Sequence, residues 1–185
     1  MTIIKKLTAV TSALFIASAM MTSTACGSKK SSSVTEEKES CNEALTNWFA
    51  AANSADGAAA ALEYTCPAAY IDYMKSQGIY DQYISDTNSD AAGKLEKSGA
   101  SPSIKEIKES TELTDEQLEA VAHYFEYTFE VTDISVSRGE ELEYSCIDLK
   151  GKDSDETVCV VELDGEGKKV IKYTAKALML TYGNK

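Results

Sequence analysis

The hydrophobic pattern of this chain changes period once, and that change fixes the order in which its elements can be built. Up to Phe129 the apolar residues recur three and four apart; beyond it they alternate. Helices therefore come first, then a short strand and a further helix, and a run of antiparallel strands follows. This order predicts an α+β domain, with N-terminal helices packed on one face of a curved antiparallel sheet.

Ser40-Cys41-Asn42-Glu43 has the S-x-x-E form of a capping box. Behind it, Ala44, Leu45, Trp48, Phe49 and Ala52 predict a helix over about 41–53 that buries Trp48 and Phe49. After a turn through Asn53 to Gly57, an Ala-rich helix runs to about Tyr64. Pro67 suits a first helical position, Tyr70, Ile71 and Met74 face inward, and Gly78 stops that third helix. The stretch from Ile79 to Ser101 carries a weak signal, in which Tyr80, Tyr83 and Ile84 pack and 90–97 forms a short helix. Ile104 and Ile107 mark a short strand over Ser103 to Glu109. Thr114-Asp115-Glu116-Gln117 is a second capping box, and Leu118, Val121, Ala122 and Phe125 give a helix ending near Tyr127.

Strands are predicted over Val131 to Ser137, Glu141 to Leu149, Glu156 to Leu163 and Lys168 to Tyr173, with polar turns at Lys150 to Asp155 and Asp164 to Gly167. Ala175 to Tyr182 is apolar enough to pack, in either conformation. A turn centred between Lys152 and Asp153 would set Cys146 opposite Cys159, Tyr144 opposite Val161 and Leu142 opposite Leu163, all on one face. The other face would oppose Glu143 to Glu162, at a cost of a few tenths of a kcal/mol.

The first residues describe an address. Lys5 and Lys6 precede an apolar run of fifteen residues, Leu7 to Met21. Crossing a bilayer takes about 20, so the run is the core of a signal peptide. Ser23-Thr24-Ala25-Cys26 then resembles the lipobox of bacterial lipoproteins, departing from it at Ser23, where an aliphatic residue is usual. The resemblance implies cleavage after residue 25, lipidation of Cys26, and attachment to the outer face of a bacterial membrane. Residues 26–39 read as a flexible Ser-rich tether and 40–185 as a single domain.

Without Lys5 and Lys6 the chain keeps 16 basic against 30 acidic residues, a net of −14. Such a surface excludes nucleic acid as a partner, because that affinity rests on neutralising phosphates. With Cys26 committed to lipid, Cys41, Cys66, Cys146 and Cys159 remain. In an exported chain an even number reads as two disulfides. The hairpin register pairs Cys146 with Cys159. The second helix, by returning the chain along the first, pairs Cys41 with Cys66. Each bridge would contribute about 3 kcal/mol.

The stretch Ala44 to Asn53 with Asp56, Ala61-Leu62 and Pro67, and later Leu113-Thr114-Asp115-Glu116-Gln117-Leu118, resembles NTF2-like lipoprotein domains. The likeness covers about 140 residues and departs at Gly167-Lys168-Lys169-Val170, where many relatives close a hairpin with Gly and an aromatic. It implies a cystatin-like α+β cone with a pocket between helices and sheet. Trp48, Phe49, Tyr70, Tyr73 and Tyr144 would line that pocket; Tyr124 and Phe125 add to the aromatics that alternatively form the core.

No catalytic set stands out. His123, the one histidine, lies one position off its helix's apolar stripe and reads as a flanking residue. Asp86-Thr87-Asn88-Ser89-Asp90 begins like a calcium loop, but Ala91 and Lys97 occupy positions that require Gly and Glu. No phosphate-binding glycine loop, nucleophile elbow, metal site or cofactor motif is present. The chain reads as a non-enzymatic binding or interaction module whose partner is an envelope protein, a glycan or a small ligand. The alternative is a small enzyme working in the cone pocket.

Overall fold

The computed structural model describes residues 39–147 and 151–184. The apolar run Leu7 to Met21, Cys26 and the Ser-rich tether lie outside the described residues.

Helix α1 (Cys41–Ala51) begins where the capping box places it. The Ser40 hydroxyl accepts from the Glu43 N–H at 3.2 Å, and the Glu43 carboxylate accepts from the Ser40 N–H at 2.8 Å. Its inward face carries Leu45, Trp48 and Phe49. Burying each contributes about 1.5–3 kcal/mol. Two short helices follow, α2 (Ala58–Glu63) and α3 (Ala68–Ser76), the latter burying Ile71 and Met74.

The weakly patterned stretch is one long helix, α4 (Tyr80–Ser98), rather than a short helix over 90–97 alone. Ala91 is its single fully buried residue, so it has almost no apolar stripe to read. It ends at Gly99, whose φ of 60° gives the left-handed cap. The acidic segment Asp86 to Asp90 lies within this helix. There the Asn88 side-chain oxygen accepts from the Ala58 N–H at 3.0 Å, at the start of α2.

Strand β1 (Ser103–Glu112) pairs with β2 (Val136–Ile147), with α5 (Asp115–Phe129) between them in sequence. Strands β3 (Asp153–Leu163) and β4 (Gly167–Ile171) complete a four-stranded antiparallel sheet in the order β1-β2-β3-β4, and α6 (Ala175–Tyr182) closes the chain. Thr114 and Gln117 make the capping box of α5, and the Thr174 hydroxyl caps α6. β2 starts later than the alternation predicts. Glu130 and Asp133 take left-handed backbone, with φ of 55° and 62°, so Val131 to Ser135 is a connection and not strand.

Two expectations are corrected by the sheet. Helices cover both faces. α1 packs on one, with Leu142, Tyr144, Cys146, Val158 and Val160. α5 and α6 pack on the other, with Cys159, Val161, Leu163 and Ile171. β3 is accordingly buried at every position from Val158 to Leu163. The hairpin register also differs by an odd number of residues: Cys146 faces Ser154, Cys159 faces Glu141, and Glu143 faces Thr157. An odd shift exchanges faces, so Cys146 and Cys159 belong to different clusters. Alternation selects a register only when one face is buried, and from Val158 to Leu163 both faces of β3 are.

Candidate functional site

The sheet ends in a charged cleft of about 620 Å³ beneath the start of α1. Its floor comes from three strands through one row of the register. Arg138 on β2 opposes Glu162 on β3, which opposes Lys168 on β4. One row further in, Glu112 on β1 opposes Glu140 on β2. Side chains two apart on a strand share a face, so Arg138, Glu140, Glu162 and Lys168 all point to the side of the sheet that α1 covers. Glu39, Ser40 and Cys41 form the roof.

The cations of this floor are held. Arg138 Nε donates to the Glu162 carboxylate at 2.6 Å, and Lys168 Nζ lies 3.2 Å from the same oxygen. Lys168 is buried, its side chain 4% exposed, whereas that of Arg138 is 55% exposed. Glu140 accepts from the Ser110 hydroxyl. Glu39 accepts from Asn47 at 2.7 Å and from the Tyr64 hydroxyl at 2.9 Å, which fixes the roof to α1 and to the end of α2. Gly139, between Arg138 and Glu140, lets β2 lie close against Leu113 and Val161: a Cβ there would fall 2.6 Å from Val161 Cγ1.

Cys41 brings a thiol to the cleft wall. Burial pushes its thiol up to about 11; Lys168 pulls the other way, and the charge of Glu140 pushes further up. The sulfur lies 3.8 Å from the Val160 carbonyl oxygen. At neutral pH this is a protonated thiol, and the thiolate is what attacks.

Of the site residues named from the sequence, Cys41 lines the cleft, and the other described ones lie elsewhere. Trp48, Phe49 and Tyr144 are buried together under α1, with Phe49 edge-on to Tyr144 at 6.1 Å. Lys172 Nζ sits 5.3 Å from the Trp48 ring centre. Tyr70 packs on the opposite side of the sheet, 5.0 Å from Phe129, with Tyr73 against it at 6.3 Å. Trp48, Phe49 and Tyr144 thus belong to one core and Tyr70 packs against the other, with Tyr73 beside it. The thiols divide likewise: Cys41 and Cys146 lie in one cluster, Cys66 and Cys159 in the other, and all four are buried. The His123 ring Nδ1 meets the Tyr182 carbonyl oxygen at 3.1 Å, tying α5 to α6. Cys26 lies outside the described residues. Among the described residues no group of three or more His, Cys, Asp or Glu is disposed to hold a metal, and no helix is long and apolar enough to cross a membrane.

Glu112, Arg138, Glu140, Glu162 and Lys168 were not singled out by sequence reasoning. One signal was available: two adjacent lysines in the short strand Gly167 to Ile171, whose side chains alternate between faces, so that a lysine turned to a covered face must find an acid. Comparison of the chain with protein-family models, with curated proteins and with solved structures found no match.

Proposed function

We propose that this chain is an extracytoplasmic lipoprotein, held at the outer face of a bacterial membrane through lipid on Cys26, whose folded part is a non-enzymatic binding module. The address rests on the basic start, the fifteen-residue apolar run and the small residues before Cys26. The resemblance to NTF2-like lipoprotein domains belongs to the same reading: N-terminal helices packed against a four-stranded antiparallel sheet are what it leads one to expect.

One observation supports binding over catalysis. Two reactive side chains on the cleft wall, Lys168 and Cys41, are neutralised where they stand. Lys168 is salt-bridged to Glu162, and the Cys41 thiol is held protonated. A nucleophile or a general base needs the opposite arrangement, a shifted pKa with a free lone pair aimed at a reacting atom. A cleft lined by fixed charges is instead suited to orienting a polar ligand.

The test is a pull-down of the lipid-free chain, with Cys26→Ser, against a solubilised envelope fraction, read by mass spectrometry beside a chain carrying Arg138→Glu. A partner captured by the first and lost with the second supports the reading. Turnover of a substrate by the chain, or identical capture by both, overturns it.

A further inference from the structure

We propose that the cleft binds a ligand carrying both an ammonium group and a carboxylate, the chemistry of a free amino acid or an unblocked short peptide. This rests on reading the domain as a binding module and says what it would bind.

The negative end is built by two opposed carboxylates. Glu112 and Glu140 are direct cross-strand partners, so their Cβ atoms stand about 4.5–5.5 Å apart. Glu140 is engaged by a neutral hydroxyl, that of Ser110. Among the described residues the Glu112 side chain has no hydrogen bond or ion pair. Two like charges across one strand pair destabilise the sheet unless something positive comes between them. A primary ammonium has three donors and the right size for that gap.

The positive end lies on the same face, two residues along β2 and so about 7 Å away. Arg138 uses its Nε–H on Glu162. A guanidinium has five N–H donors, and the exposure of this side chain leaves its terminal nitrogens open to the cleft. Paired terminal nitrogens recognise a carboxylate in two-pronged fashion.

Glu162 keeps the two ends apart. It bonds both Lys168 and Arg138 in the outer row, although Arg138 still feels the charge of Glu140. A dication would meet Arg138, and a dianion would meet Glu112. A ligand with one charge of each sign satisfies both, and a cleft of about 620 Å³ has room for more than a single amino acid.

The test is calorimetric titration of the full chain with trialanine, N-acetyl-trialanine, trialanine amide and 1,5-diaminopentane. Trialanine is expected to bind, and blocking either end to weaken it by about tenfold or more, the loss of one charge-assisted contact. Glu112→Gln should weaken trialanine and leave the N-acetyl form unchanged; Arg138→Gln should weaken trialanine and leave the amide unchanged. Both side chains are exposed, so melting temperatures serve as the folding control. Equal binding of blocked and free peptide, tighter binding of the diamine, or no heat from any probe overturns the proposal. If these fail while the envelope pull-down still captures a partner that Arg138→Glu releases, the ligand class falls and the binding module stands.

Discussion

Lys168 reaches Glu162 across the β3–β4 pair, its Nζ 3.2 Å from the carboxylate and its side chain 4% exposed. Removing one partner of a buried pair strands the other charge, at a cost of about 3–5 kcal/mol. Glu162→Ala should therefore lower stability by that order in urea unfolding. Replacing both residues with Met should recover most of the loss, because a well-packed apolar pair is often neutral or better. Equal damage from the single and the double change would show that the pair is not what holds this corner.

The buried thiols make stability depend on alkaline pH. Burial pushes the Cys41 thiol up to about 11 and those of Cys66 and Cys159 up to about 12. In the unfolded chain a cysteine titrates near about 8.5. Below that value both states keep their protons and the thiols contribute no slope. Above it the unfolded chain releases protons first, so folding weakens as pH rises from about 9 to 11. Melts in reducing buffer should show this decline, and Cys159→Ala should make it shallower. A flat alkaline profile would mean the thiols are not buried as described.

Under the proposed export, the same cysteines can be read in protein taken from the cell envelope. A non-reduced digest reveals whether 41–66 and 146–159 peptides form. A 146–159 bridge requires a different β2–β3 register, since here Cys146 faces Ser154 and Cys159 faces Glu141.

Gly139 is a packing constraint at the edge of the cleft. A methyl group there would meet Val161 Cγ1 at 2.6 Å, and Leu113 Cδ1 and the Val160 carbonyl oxygen at 3.0 Å. Gly139→Ala should cost about 1–3 kcal/mol, as overpacking does. It should also weaken any ligand of the cleft, because β2 must move to relieve the contact. An unchanged unfolding midpoint would count against the close approach.

Lipidation is checked by growth with an alkyne-bearing fatty acid. The intact chain should incorporate label and partition with membranes. Cys26→Ala should abolish the label and release the protein in soluble form. Persistent label in that variant would place the anchor elsewhere.

What could be read in the sequence was local. Ser40 with Glu43, and Thr114 with Gln117, announce two helix starts within four residues each, and both form. α4 could not be read because a helix with one buried residue has no stripe. β1 hid a different device. Ile104 and Ile107 are three apart, which in a regular strand would put them on opposite faces. Bulges after Ile104 and after Ile107 absorb the extra residues, so Ile104 pairs with Cys146 and Ile107 with Tyr144, both toward α1. The cleft depended on that register and on the β2–β3 one. Arg138 and Glu162 are 24 residues apart, and with β3 buried on both sides no alternation could say which residue faced which.

Glu39 is pinned by Asn47 and Tyr64 at the rim of the cleft. The first described residue is thus fixed to the folded core at the rim of the cleft. Under the proposed binding role, a bulky group joined just before Glu39 should hinder access to the opening. Adding it should change the rate at which ligand arrives while leaving the folded core untouched.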